Sequence, residues 1–189
     1  MPIKALRNLL IGMAVLVAAA VITGLFLPDT AHVERSTVIK ASPATVFRLL
    51  NSFEHFNEWS PWATLDPKTQ YSRKGPAEGV GASQAWFSEN QAVGSGRQEI
   101  IESVPNERVR LKVEFTGFDS DNVSTFTLVP EGEGTRLTWG YDSSFKGNLM
   151  GRYFGLMLDR MLGKDYENGL LDLKLLAERD AAATPAPAP

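Results

Sequence analysis

The sequence predicts an α+β domain carried behind one apolar helix. Three features point there. Leu9 to Leu27 holds no charged residue. Short alternating segments, parted by glycine and proline turns, fill the middle of the chain. A long helical pattern closes it. Consecutive strands followed by a helix argue for an antiparallel sheet with that helix packed on one face.

At ~1.5 Å per residue, the uncharged run reaches across a ~30 Å hydrocarbon core. Lys4 and Arg7 precede it, no acid does, and Pro28-Asp29 ends it. The expectation is a single-pass signal anchor over 9–27. Residues 1–8 would stay in the cytoplasm, and the rest of the chain would lie on the extracytoplasmic side of the cytoplasmic membrane. A cleaved signal peptide is the alternative. Its apolar core is usually shorter and ends at a small-x-small site, which Pro28-Asp29-Thr30-Ala31 matches poorly. A buried core helix would show a polar face, which this run lacks.

The rest is long enough for one domain, 29–180, with a core of its own. The chain is 43% hydrophobic and 22% charged, ordinary for a globular protein. Lys and Arg number 19 against 22 Asp and Glu. Two of the basic residues precede the run, so the remainder is acidic. No basic cluster suggests nucleic acid or anionic head groups. Without cysteine there are no disulfides, thiolate metal sites or cysteine nucleophiles.

Ala31 to Lys40 alternates as a strand. Ser42-Pro43 then supplies an N-cap and a first-turn proline for a helix from Pro43 to Leu50. A short helix over Phe53 to Glu58 runs into Trp59-Ser60-Pro61-Trp62, where proline stops it. Strands follow at Gln70–Arg73, Ala82–Glu89, Arg97–Val104, Arg108–Phe115, Val123–Val129 and Thr135–Asp142. In Arg108–Phe115, Val109, Leu111, Val113 and Phe115 alternate with charged residues, the mark of a sheet with one wet face. One long helix is expected from about Asn148 to Arg179. Met150, Phe154, Met157 and Met161 form one stripe on it, continued by Leu170, Leu173 and Leu176. Gly163 weakens this helix by ~1 kcal/mol relative to alanine. The Ala/Pro tail, 181–189, is expected to be disordered.

Several segments carry a closer likeness. They are Ile39-Lys40-Ala41-Ser42-Pro43-Ala44-Thr45-Val46-Phe47, Asn57-Glu58-Trp59-Ser60-Pro61-Trp62-Ala63 and Gly75-Pro76-Ala77-Glu78-Gly79-Val80-Gly81-Ala82. Thr135-Arg136-Leu137-Thr138-Trp139 and Gly163-Lys164-Asp165-Tyr166-Glu167-Asn168-Gly169-Leu170 complete them. Through these, residues 31–178 resemble the START-like helix-grip (SRPBCC) superfamily, in its polyketide cyclase/dehydrase branch. The resemblance implies a helix-grip fold: a curved antiparallel sheet of about seven strands gripping a long C-terminal helix. It also implies a space between them for a hydrophobic or lipid-like molecule. It implies no single reaction, and the anchor departs from the common soluble form.

Few residues look chemical. His55 and Glu58 stand at i, i+3, a spacing that usually makes a surface pair. His32 lies far from them, so no metal site or cofactor is expected. Asp119-Ser120-Asp121-Asn122 lacks the glycine and distal glutamate of a calcium loop and reads as a hairpin turn. The glycine pairs Gly79/Gly81 and Gly94/Gly96 read as strand turns, and Gly151/Gly155 as a close backbone contact. No catalytic residue is assigned. Pocket candidates are Trp86, Trp139, Tyr141, Phe154, Met157 and Met161, on strand faces and the helix stripe; core packing is the competing role. Three functions remain in view. A tethered, non-catalytic binding domain stands first. A cyclase/dehydrase-like enzyme would need Glu99, Arg97 or Glu114 to face inward. A protein-docking domain would have its cavity filled by side chains.

Overall fold

The computed structural model describes residues 3–118 and 120–183. Its first element, α1 (Ile3–Phe26), is exposed except at Gly24 and is long and apolar enough to cross a membrane. Seven strands follow: β1 (Thr30–Ile39), β2 (Gln70–Lys74), β3 (Ser83–Phe87), β4 (Ser95–Val104), β5 (Arg108–Phe115), β6 (Asp121–Glu131) and β7 (Gly134–Ser144). They form one antiparallel sheet in the order β1-β7-β6-β5-β4-β3-β2. Hairpins build the run from β2 to β7. The first strand closes onto the last because α2 (Pro43–Leu50) and α3 (Phe56–Trp59) carry the chain across one end.

Local chemistry sets these elements. The Ser42 side chain accepts from the Thr45 amide at 3.2 Å and Pro43 occupies the first turn, so α2 begins where the sequence places it. Val46, Leu49 and Leu50 form its buried side. In β6 every second residue from Asn122 to Leu128 is buried, as a sheet with one covered face requires. A bulge between Ile100 and Glu102 bends β4 and shifts its pairing with β5.

The long C-terminal helix breaks in two, α4 (Leu149–Gly155) and α5 (Leu158–Ala183). α4 is held by neighbours outside the helix. A Cβ on Gly151 or on Gly155 would come within 2.8 Å of the Phe145 ring, so both glycines sit hard against that ring. Beyond them α5 turns to lie over β1. There Arg35 reaches Asp159 at 2.9 Å and Glu167 at 3.1 Å, filling the space that Gly163 leaves open. The buried side of α5 is Leu158, Gly163, Tyr166, Gly169, Leu170, Leu173, Leu176 and Ala177. Ala181–Ala183 still belong to α5, although the expected disordered tail began there. The rest of that tail and Asp119 fall outside the described residues.

Surface carboxylates form ion pairs and hydrogen bonds across the sheet and at its borders. Arg108 and then Arg110 hold the Glu102 carboxyl below its usual range. Lys112 does so for Glu114, the Lys40 amide for Glu178, and the Ser88 hydroxyl for Asp66. All four are lower folded than unfolded. Their stabilisation is complete above the unfolded values and is lost as pH falls through the folded ones. The thermal midpoint should therefore fall on acidification below about pH 4, and less steeply in high salt because the pairs are exposed. A midpoint unchanged down to about pH 2.5 would show that these pairs contribute nothing.

Candidate functional site

Strand register places one set of side chains on the concave face, under α5. Trp139 pairs across with Phe126 and Arg35, Tyr141 with Ser124 and Val33, and Ser143 with Asn122. Farther along, Val113 lies opposite Gln98, Gln98 opposite Gln84, and Trp86 opposite Gly96. Trp86 therefore shares this face with Trp139 and Tyr141, of which the sequence phase links only the last two.

The α5 side of the face is filled. Trp139 is 2% exposed and stacks on Tyr166 with ring centroids 3.9 Å apart. Trp59 and Trp62 meet it edge-on at 5.5 and 5.9 Å, and Phe126 lies at 5.1 Å. Such pairs stabilise beyond the area they bury. The Trp139 indole donates to the Ser124 hydroxyl at 2.8 Å. Burial pushes the phenols of Tyr141 and Tyr166 well up, so both stay neutral across the physiological range.

Next to this stack runs a buried polar strip that no sequence motif announces. Gln84, Gln98, Asn122, Ser124 and Ser143 are all buried. Asn122 donates to the Val113 carbonyl at 3.2 Å and accepts from the Ser143 hydroxyl at 2.7 Å. Gln84 is fully buried, and its Oε1 accepts from Arg73 at 3.1 Å. Its Nε2 has no acceptor. A buried donor without a partner is costly. The phase that links Gln84 to Trp86, and Ser143 to Tyr141, was the available signal.

The outer rim is aromatic and partly open. Trp86 meets Phe115 at 5.7 Å, and Phe118 meets Phe154 at 6.4 Å. The helix stripe does not face the sheet as expected. Met150, Phe154, Met157 and Met161 are 76, 38, 57 and 48% exposed. The break after Gly155 assigns the covered side of α4 to its glycines and that of α5 to Leu158 and Tyr166. So Trp139 and Tyr141 are core, Trp86 and Phe154 stand at the rim, and Met157 and Met161 lie outside it.

The candidate acids and bases point away from this face. With Gln98 inward, Arg97 and Glu99 are outward and paired with each other, and Glu114 pairs with Lys112 at 2.7 Å. Among the described residues, no strand puts a carboxylate or imidazole on the concave face. His55 bonds Glu58 at 2.6 Å on the surface, and His32 bonds Asp142 at 2.7 Å on the opposite side of the sheet. Among the described residues no group of three possible ligands could hold a metal. Asn122, expected in a turn, lies in β6, where its amide fastens Ser120. Surface concavities among the described residues include one at Glu58, Asp172 and Arg179 and another at Asp66, Phe87 and Asn90.

Comparison with known proteins agrees with this architecture. Residues 30–178 match the family described as polyketide cyclase/dehydrase and lipid transport. Protein CV1439 from Chromobacterium violaceum is similar at 21% identity and a TM-score of 0.52, over 80% of this chain and 99% of that one. A protein of unknown function from Staphylococcus aureus, SA2116, matches at 14% and 0.59, over 82% and 98%. The di-domain ARO/CYC StfQ of the steffimycin biosynthetic pathway matches at 14% and 0.58, over 81% of this chain and 52% of that one. At these identities the likeness is one of fold. Comparison with curated proteins gives no match.

Proposed function

We propose a function that proceeds from family membership: the chain belongs to the polyketide cyclase/dehydrase and lipid transport family. Its outer domain, 29–180, binds a small hydrophobic or lipid-like molecule without transforming it. The ligand lies over Gln84, Gln98 and Asn122, enters past Trp86 and Phe115, and leaves the Trp139–Tyr166 stack as the floor. The observation that carries this reading is the fully buried Gln84 amide with an open donor on the concave face. An apolar groove with one or two placed polar groups is what such ligands need, and the open donor favours an acceptor such as a carboxylate or carbonyl. The two neutral tyrosines offer hydroxyls for orientation rather than a base. The apolar helix α1 tethers the domain to the cytoplasmic membrane, N-terminus inside, as the Lys4/Arg7 flank suggests.

The test uses residues 29–180 once a cooperative thermal transition shows that they fold alone. The domain should bind a fluorescent fatty acid, and small molecules extracted from it should include an amphiphile. Gln84→Leu should keep the fold and weaken the probe about tenfold, the loss of one hydrogen bond of about 1.4 kcal/mol. Equal affinity in the variant would remove Gln84 from the site. A domain that binds no probe and carries no extractable molecule would overturn the ligand reading. One observation favours that second reading, a partner-docking domain: side chains already fill the space at Trp139.

A further inference from the structure

The antiparallel order gathers one set of strand ends along a single edge of the sheet. The starts of β1, β6, β4 and β2 lie there with the ends of β7, β5 and β3. α1 feeds β1 directly, so this is the edge nearest the apolar helix, and α4 is docked on that helix. A Cβ on Gly24 would come within 2.7 Å of the Leu149 side chain and 2.9 Å of the Tyr153 ring, so these two side chains of α4 pack directly on the α1 backbone. Arg152 donates to the carbonyls of Leu25 at 3.0 Å and Leu27 at 3.1 Å, groups that no helical amide can satisfy at a C-terminus. The Tyr153 hydroxyl donates to the Ala20 carbonyl at 2.6 Å.

That last bond fixes a depth. Ala20 lies ~10 Å along the helix axis from Leu27, where the uncharged run ends. If the run fills the hydrocarbon, α4 cannot stand clear of the bilayer. Its outer surface fits that position. Met150 and Phe154 are one turn apart, Met157 follows, and Leu156 and Phe118 stand beside them, 62 and 68% exposed. Clustered apolar groups of this kind mark an interaction face. Arg152 and Tyr153 are the side chains that interfacial lipid accommodates.

We propose that α4, the first turn of α5 and the Phe118 side chain beside them are sunk in the interfacial layer of the leaflet into which α1 runs. The occupant of the apolar face is lipid. The depth of ~10 Å matches that of helices lying in the headgroup–acyl boundary. The Trp86–Phe115 rim stands on the same edge and so opens toward the leaflet. This proposal rests on α1 being a membrane anchor, and the experiment separates the two.

The chain has no cysteine, so single cysteines can be placed and labelled with bimane. The full chain is reconstituted in phosphatidylcholine vesicles carrying doxyl lipid. Met150→Cys and Met157→Cys should be quenched by label near the head group, Val15→Cys by label deep in the chains, and Val129→Cys by neither. Quenching at Val15 with none at 150 and 157 would keep the anchor and overturn the docking. No quenching at Val15 would overturn both. Sites 150 and 157 shielded from aqueous iodide yet unquenched by lipid would assign the face to a protein and overturn the proposal.

Discussion

Trp139→Ala is expected to lower the unfolding free energy by about 3–5 kcal/mol, a loss readable by denaturant titration of the full chain in detergent. The indole is almost wholly buried and touches Trp59, Trp62, Phe126 and Tyr166. Those four rings come from α3, the loop after it, β6 and α5, so one truncation loosens every layer against the others. Removing the indole also leaves the Ser124 hydroxyl without its donor. The cost depends on how far the site collapses, and Gly169 limits that collapse. A Cβ there would lie 2.9 Å from both Pro61 and Trp139, so α5 already sits as close as its backbone allows. A loss under about 1 kcal/mol would mean that the ring is not a structural keystone and that its position is loosely packed.

The sheet was legible because its physics is local. Arg108–Phe115 alternates without a break, and the structure returns the strand with the same ends. Ser42-Pro43 announces α2 in the same way. The break between α4 and α5 was not legible, because Leu156 and Met157 are apolar helix formers. α4 is held by Phe145, pressed against its two glycines, and by α1, pressed against Leu149, partners that leave no mark in the local sequence pattern. The same break turned the methionine stripe outward. Helical spacing shows that residues share a side, and only the packing partner shows which side is covered. Tyr166 belongs to a segment that carries the family likeness, but its packing role was not legible because it stands between Gly163 and Gly169, not within a run of leucines. The polar strip was obscured for another reason. Serine, asparagine and glutamine at alternate strand positions look like a wet face, and only their phase with Trp86 and Tyr141 places them inside.

Asn122→Asp tests that strip with almost no change of shape. In the native chain the amide donates to the Val113 carbonyl, the Ser120 carbonyl and the Ser120 hydroxyl, and its oxygen accepts from Ser143. A carboxylate can keep the last bond and accept from the Ser120 hydroxyl, but it faces both carbonyls with oxygen. Asn122 is 2% exposed, so water cannot screen the new charge. The expected cost at neutral pH is about 3–5 kcal/mol, the range for an uncompensated buried charge. Burial raises the pKa of the introduced acid in the folded chain above its unfolded value. The penalty is then full above the folded value and fades as pH falls toward the unfolded one, where the protonated carboxyl can donate to Val113 again. Denaturant titrations of variant and parent at pH 7 and pH 5 should show the gap narrowing on acidification. A gap that is small at pH 7, or that widens at pH 5, would mean that the position is hydrated, and the concave face at β6 would then be open to water rather than closed around its own polar groups.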